Sequence, residues 1–266
     1  MKNLFENWNS FLNETRYYDL SSFIPRDNLN PKFWIMDSRL DSSIRNKLLQ
    51  IAEDFVNSIK INSFDIIDIT FTGSSANYNW TEYADVDLHI ILDFKQINEN
   101  PGFVGDFFRT KSRLWNITHD IKIKGHEVEI YVQDLAEPHA ATGVYSILLN
   151  RWNKKPQRSR PEIDENQVNK KASHISDIID DVERLYHLKE YQLALETGKK
   201  LRNKLRNFRK CGLQREGEFS SENLAFKLLR RNGYLRKLAD FLVNSYDKSN
   251  SMPPGKRDLE DIIDNL

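Results

Sequence analysis

The stretch that decides the fold is Thr72-Gly73-Ser74-Ser75-Ala76-Asn77-Tyr78-Asn79-Trp80-Thr81-Glu82-Tyr83-Ala84-Asp85-Val86-Asp87-Leu88-His89-Ile90-Ile91-Leu92. A β-branched and aromatic run, Phe64–Thr72, halts at Gly-Ser, and a polar segment leads into a second β-rich run that opens Asp-Val-Asp. Alternate residues of a strand share a face, so Asp85 and Asp87 point the same way. Two like charges side by side repel unless a cation sits between them. Oxygen-only ligands suit Mg²⁺, which commonly takes substrate phosphates as its remaining ligands.

Working outward, Asp120-Ile-Lys-Ile-Lys-Gly-His-Glu-Val-Glu-Ile-Tyr-Val132 reads as two alternating runs around Gly125-His126, a hairpin pattern. It offers a third carboxylate. Glu129 lies within the strand, between Val128 and Ile130, and is the first choice; Glu127, at the turn, is the second. The same acids also fit a solvated sheet face paired with Lys122 and Lys124. Gly73 allows a backbone to approach a phosphate closely, and Ser74 with the amides after it can hold one, although Gly-Ser is also an ordinary turn.

The remaining elements follow by period. Residues 1–14 form a short amphipathic helix pattern through Leu4, Phe5, Trp8, Phe11 and Leu12. Ser21–Lys32 is a loop, and a long helix runs from Ser38 to Lys60. The two strands are Phe64–Thr72 and Val86–Phe94. A loop over Asn98–Gly105 precedes a helix over Phe107–Ile117, and residues 137–150 read as a connecting helix with a loop. The linker is placed at 153–166, where two prolines and many charges fall together. From Gln167 the pattern is helical: one stripe through Ile175 to Tyr186, a second from Tyr191 ending at Gly212, and a third starting at Ser220/Ser221 and broken at Gly233. Five regions result: 1–37, a sheet domain 38–152, the linker 153–166, a helical bundle 167–247 and a tail 248–266.

Composition bounds the function. With 266 residues, 39% of them hydrophobic, the chain can bury a real core. No run of eighteen apolar residues predicts a membrane span, and the start lacks the basic and apolar regions of a secretory signal. One cysteine, Cys211, excludes a disulfide framework and a thiolate zinc cluster, so a cytoplasmic setting is expected. The net charge of zero divides unevenly: residues 1–150 carry 14 Lys+Arg against 21 Asp+Glu, and residues 151–266 carry 25 against 18. An acidic half beside a basic half suits a metal site with a polyanionic substrate, and equally two ordinary solvated surfaces.

Gly73, Ser74, Asp85, Asp87 and Glu129, in that order across strands, resemble the signature of the DNA polymerase beta-like nucleotidyltransferase superfamily. More narrowly, Glu129-Ile-Tyr-Val-Gln-Asp134, Gly143-Val-Tyr-Ser146 and Glu222-Asn-Leu-Ala-Phe-Lys227 through Tyr234 resemble the predicted nucleotidyltransferases of large tailed bacteriophages. The resemblance implies an α/β (α+β) fold: a small mixed sheet flanked by helices, then an all-helical C-terminal domain. It implies that Asp85, Asp87 and Glu129 hold two Mg²⁺, with Mn²⁺ as a substitute, and that Gly73 and Ser74 contact a nucleoside triphosphate such as ATP. An acceptor hydroxyl then takes the nucleotidyl group and pyrophosphate leaves. It names no acceptor; RNA, protein and small molecules all fit. Within the phage resemblance, residues 1–14 are similar to head-packaging segments, which places the protein in a host cytoplasm or a virion, although a docking helix fits the same residues.

Lesser features have two readings each. The run Lys199 to Lys210 lies on a helix whose apolar face is already used, so it faces solvent or a polyanion such as nucleic acid. Lys111 and Arg113 reach a triphosphate or are merely exposed. Trp80 and Tyr83 stack a base or pack on the sheet. The rival to an enzyme is a catalytically idle module of the same fold that binds nucleic acid or a host protein through its basic helices.

Overall fold

The computed structural model describes residues 16–59, 65–137, 141–159 and 161–252. The helix pattern in residues 1–14 and most of the tail lie outside them. The chain divides into two compact units: Leu20–Arg160, and residues 16–19 joined to the helices from Pro161 onward.

In the first unit the strands are β1 (Trp34–Ile35), β2 (Arg39–Leu40), β3 (Asp68–Thr72), β4 (Val86–Leu92), β5 (Lys122–Ile123), β6 (His126–Asp134), β7 (Val144–Ser146) and β8 (Arg151–Lys154). The helices are α1 (Ser42–Ile59), α2 (Phe94–Ile97) and α3 (Pro101–Thr118). β1 and β2 pair by themselves, and the other six form a mixed sheet in the order β5-β6-β4-β3-β7-β8. Among the described strands only β4 and β6 run parallel, a pairing that needs a long crossover, which α2 and α3 supply.

Alternation sorts the sheet into two faces. Val86, Leu88, Ile90 and Ile130 are fully buried, while Asp87, His89, Glu129 and Tyr131 occupy the other face and stay partly open. Each buried aliphatic contributes about 2 kcal/mol by leaving water. α1 adds Ile44, Leu48, Ile51, Ala52, Phe55 and Ile59 to that core. It begins where Asp41 Oδ1 accepts from the Ser43 and Ile44 amides, so the expected start at Ser38 is too early. Ser38 instead belongs to the turn between β1 and β2.

Three further sequence expectations need correcting. Asn98–Gly105 is not all loop: Asn100 caps α3 by accepting from the Phe103 amide, and Pro101 and Gly102 are already helical. Proline suits the first helical turn, where its missing N–H has no partner to lose. Residues 137–150 contain no helix among the described residues, because Val144, Tyr145 and Ser146 are all buried in a strand that pairs with β3 and β8. β8 also occupies the first two residues expected to be linker. The hairpin turn lies at Lys124 (φ 53°) and Gly125 (φ 88°), two left-handed residues that match a type I′ turn.

After Pro161 the described residues of the second unit carry the helices α4 (Glu165–His187), α5 (Tyr191–Glu216), α6 (Ser221–Arg231) and α7 (Tyr234–Asn250). Ile175, Ile179, Val182, Leu201, Leu205, Leu229 and Leu242 belong to its core. Ser220 caps α6 as expected, and Gly233, left-handed at φ 77°, separates α6 from α7. Gly212 does not end α5. It is a close-packing position, since a Cβ there would stand 2.6 Å from Glu222 Cβ, and the helix stops instead at Gly217.

Candidate functional site

The polar face of β3, β4 and β6 brings the sequence-selected residues together. Thr72 is the register partner of Asp87, and Asp87 is in turn the partner of Glu129. Partners on adjacent strands sit about 5 Å apart with side chains on one face. Asp85 lies just before β4, one alternation ahead of Asp87. Glu127, by contrast, is exposed and reaches toward Lys122 at 4.0 Å.

Gly73 ends β3 at φ 77°, ψ −166°, a region open in practice only to glycine. A Cβ there would stand 1.8 Å from Asp87 Oδ2. The glycine thus serves two ends, letting the chain turn and leaving room for the carboxylate. A 3-10 turn, Ser74–Ala76, follows. Its opening amides, on Ser74 and Ser75, have no acceptor within the turn.

Several contacts hold this turn and the start of β4. Ser75 Oγ donates to the Asp85 carbonyl at 2.7 Å, and the Ser75 carbonyl accepts from Trp34 Nε1 at 2.8 Å. Trp34 is itself wedged between Phe71 and Trp152, with ring centroids 5.5 and 4.6 Å away. Buried His126 lies 2.6 Å through Nδ1 from the Ala84 carbonyl, which only an Nδ1–H can serve. Gly143 seats β7 against the turn, since a Cβ there would come 2.1 Å from the Ala76 carbonyl oxygen. The backbone that carries Asp85 is therefore fixed from both sides.

The side chains around the acids are polar and interlocked. Tyr131 Oη donates to Glu129 Oε2. The Tyr131 hydroxyl is pushed up from its ordinary titration range first by burial, then by that bond, then by the charges of Glu129, Asp87 and Asp85. All three acids act on one phenol, so they share one neighbourhood. Among the described residues, however, no three His, Cys, Asp or Glu side chains converge closely enough to hold a metal ion. The donor set still has the chemistry Mg²⁺ requires, being oxygen throughout, with a glycine cradle beside Asp87.

Sequence reasoning missed Tyr131, Ser75, His126 and Gly143. Tyr131 carries a readable signal, since it lies two residues beyond Glu129 on the same strand face. The lesser candidates divide. Trp80 is packed, its Nε1 donating to the Asn28 carbonyl and Arg26 lying 5.2 Å over its ring. Tyr83 and Arg113 are exposed, and Lys111 rests over Phe107 at 5.5 Å. Along α5, Lys199, Lys200, Arg202, Lys204, Arg206 and Lys210 are exposed opposite buried Leu201 and Leu205, while Arg209 is bonded to Asn223. Among the described residues, no helix is long and apolar enough to cross a membrane.

No family model matches the chain, and no curated protein does. Among solved structures it is similar to the STING-associated CdnE c-di-GMP synthase from Capnocytophaga granulosa. The identity is 13% over 79% of this chain and 84% of that one, with a TM-score of 0.20. A likeness at that score carries no weight for the chemistry, which rests on the geometry above.

Proposed function

We propose that the protein is a nucleotidyltransferase, moving a nucleoside monophosphate from a nucleoside triphosphate to an acceptor hydroxyl with release of pyrophosphate. The observation that carries this reading is Asp87 in register with Glu129, with Gly73 pressed against the Asp87 carboxylate. Asp85, Asp87 and Glu129 would hold two Mg²⁺. When bound there, the ions would neutralise charge on the transferring phosphoryl group and ease ionisation of the attacking hydroxyl. Gly73 keeps Asp87 in place and brings backbone close to the phosphates. Ser74, which stays partly open, supplies an amide donor for a phosphate oxygen. His126 and Ser75 hold the backbone through which Asp85 presents its side chain.

The acceptor stays open, and the exposed cations of α5 support a polyanionic one. Incubation with each α-labelled nucleoside triphosphate and a cell lysate should label one size class, depending on both Mg²⁺ and Asp87. Full labelling by Asp85→Asn and by Asp87→Asn would overturn the reading.

The second reading, an idle module that binds nucleic acid or a protein, is favoured by the lack of three converging ligands among the described residues. A panel of nucleotides with Mg²⁺ separates the two. The enzyme should gain thermal stability in an Asp85-dependent way, and the idle module should gain none.

A further inference from the structure

The face that carries the acids continues along β4 and β6 as His89, Tyr131 and Gln133. His89 and Tyr131 are register partners whose ring centroids lie 5.1 Å apart. His89 Nδ1 is 3.0 Å from Gln133 Oε1, and Gln133 Nε2 donates to the Glu137 carbonyl at 3.2 Å. That carbonyl can only accept, so the Gln133 amide nitrogen must face it and the amide oxygen must face His89. The proton between them therefore sits on His89 Nδ1. The imidazole is fixed in tautomer and plane, and the Tyr131 ring packs against it. At the far end of the row, the Tyr131 hydroxyl donates to Oε2 of Glu129 and leaves Oε1 uncommitted to that bond.

On the reading that Glu129 is the third ligand, we infer that Tyr131 is its positioning residue. The phenol holds one carboxylate oxygen so that the other is presented toward the cation beside Asp87. A carboxylate at the end of a flexible side chain loses rotamer freedom when it binds an ion, and an outer hydrogen bond removes that loss beforehand. A phenol suits this task better than a lysine or arginine. It donates a single bond without cancelling the negative charge that attracts the ion.

The test measures Mn²⁺ binding by electron paramagnetic resonance on the full chain, without nucleotide or turnover. Tyr131→Phe keeps the ring and its packing on His89 but removes the donor. It should weaken Mn²⁺ binding by about tenfold or more, the usual effect of losing an outer partner, with little change in melting temperature. Asp87→Asn is the control for the site itself. If Asp87→Asn weakens binding and Tyr131→Phe does not, the positioning role is overturned and the site stands. If the wild-type chain binds no Mn²⁺, or binds it as well after Asp87→Asn, the metal-site reading falls and takes the role of Tyr131 with it.

Discussion

Two partly buried glutamates, one in each unit, are held by opposite kinds of partner. Glu222 in the helical unit meets Lys171 Nζ at 2.7 Å and Arg215 at 3.0 Å. Burial raises its pKa, but the Lys171 bond, a backbone bond and the Arg215 bond prevail and draw it down to about 2. Asp180 in the same unit is treated alike, burial being outweighed by Lys237 and Arg16. Glu129 on the sheet is engaged instead by a neutral phenol. An acid matched by cations has spent its charge on the fold. One bonded by a neutral donor keeps its charge to offer, and it stands in register with another acid. The contrast separates structural carboxylates from those available to a ligand.

The sharpest way to break that contrast is Asp87→Asn. Nucleotidyl transfer should fall on the order of 10³-fold, as expected when electrostatic stabilisation of a transition state is removed. Stability should hold or rise by roughly 0.5 kcal/mol, because a like-charge neighbour is relieved. A marked drop in melting temperature would place Asp87 with Glu222 as a structural acid.

Gly73 and Gly217 provide a matched pair for the next test. Their backbones nearly coincide, at φ 77°, ψ −166° and φ 74°, ψ −156°. A Cβ at Gly217 meets nothing within 4 Å, whereas at Gly73 it would collide with Asp87. Gly217→Ala should therefore show backbone strain alone, about 1–3 kcal/mol by chemical denaturation, with transfer unchanged. Gly73→Ala should add displacement of Asp87 and lose most activity as well. Equal activity in the two variants would remove the close approach from the mechanism.

The same residues show how far the fold was legible in the sequence. The pairing of Asp85 with Asp87 follows from a period of two, whereas the choice of Glu129 over the exposed Glu127, two residues away on the same face, follows from its place within the strand and not at the turn. The alternation of apolar and polar residues on β4 and β6 survives in the structure because one face is core. β7 and β8 were not legible. They are three and four residues long, too short for a period to register, and β7 is buried on both faces so that nothing alternates. The packing role of Gly143 was equally hidden, although the residue stands in a motif quoted from the sequence, since only tertiary packing shows that the Ala76 carbonyl lies where its Cβ would be. The end of α5 was misplaced for the related reason that a helix glycine pressed on a neighbour looks, in sequence, like one that stops the helix.

Acid titration sharpens the structural half of the comparison. Glu222 lies lower when folded than its ordinary value near 4.5, so its contribution is fully present above pH 4.5 and disappears as pH falls toward about 2. Glu222→Gln should destabilise the chain by on the order of 2 kcal/mol at pH 7, a figure reduced because Arg215 is more than half exposed. The gap between wild type and variant should close across that window. A gap that persists at pH 2 would mean that packing against Gly212, and not the ion pairs, is what Glu222 provides.

The smallest effect belongs to α5, where the question is whether exposed cations do more than solvate a helix. Arg202→Glu with Arg206→Glu leaves buried Leu201 and Leu205 in place and should not alter the melting temperature. If the face binds nucleic acid, the double variant should bind a single-stranded oligonucleotide a few-fold more weakly at low salt. The slope of log affinity against log salt should also flatten by about 0.7 for each single-strand phosphate that is no longer neutralised. An unchanged slope would show that the face is only solvated. The transfer site would then have to be supplied with its acceptor by the sheet unit's own surface, and the search for that acceptor would move from polyanions to molecules small enough to lie beside Asp87 and Glu129.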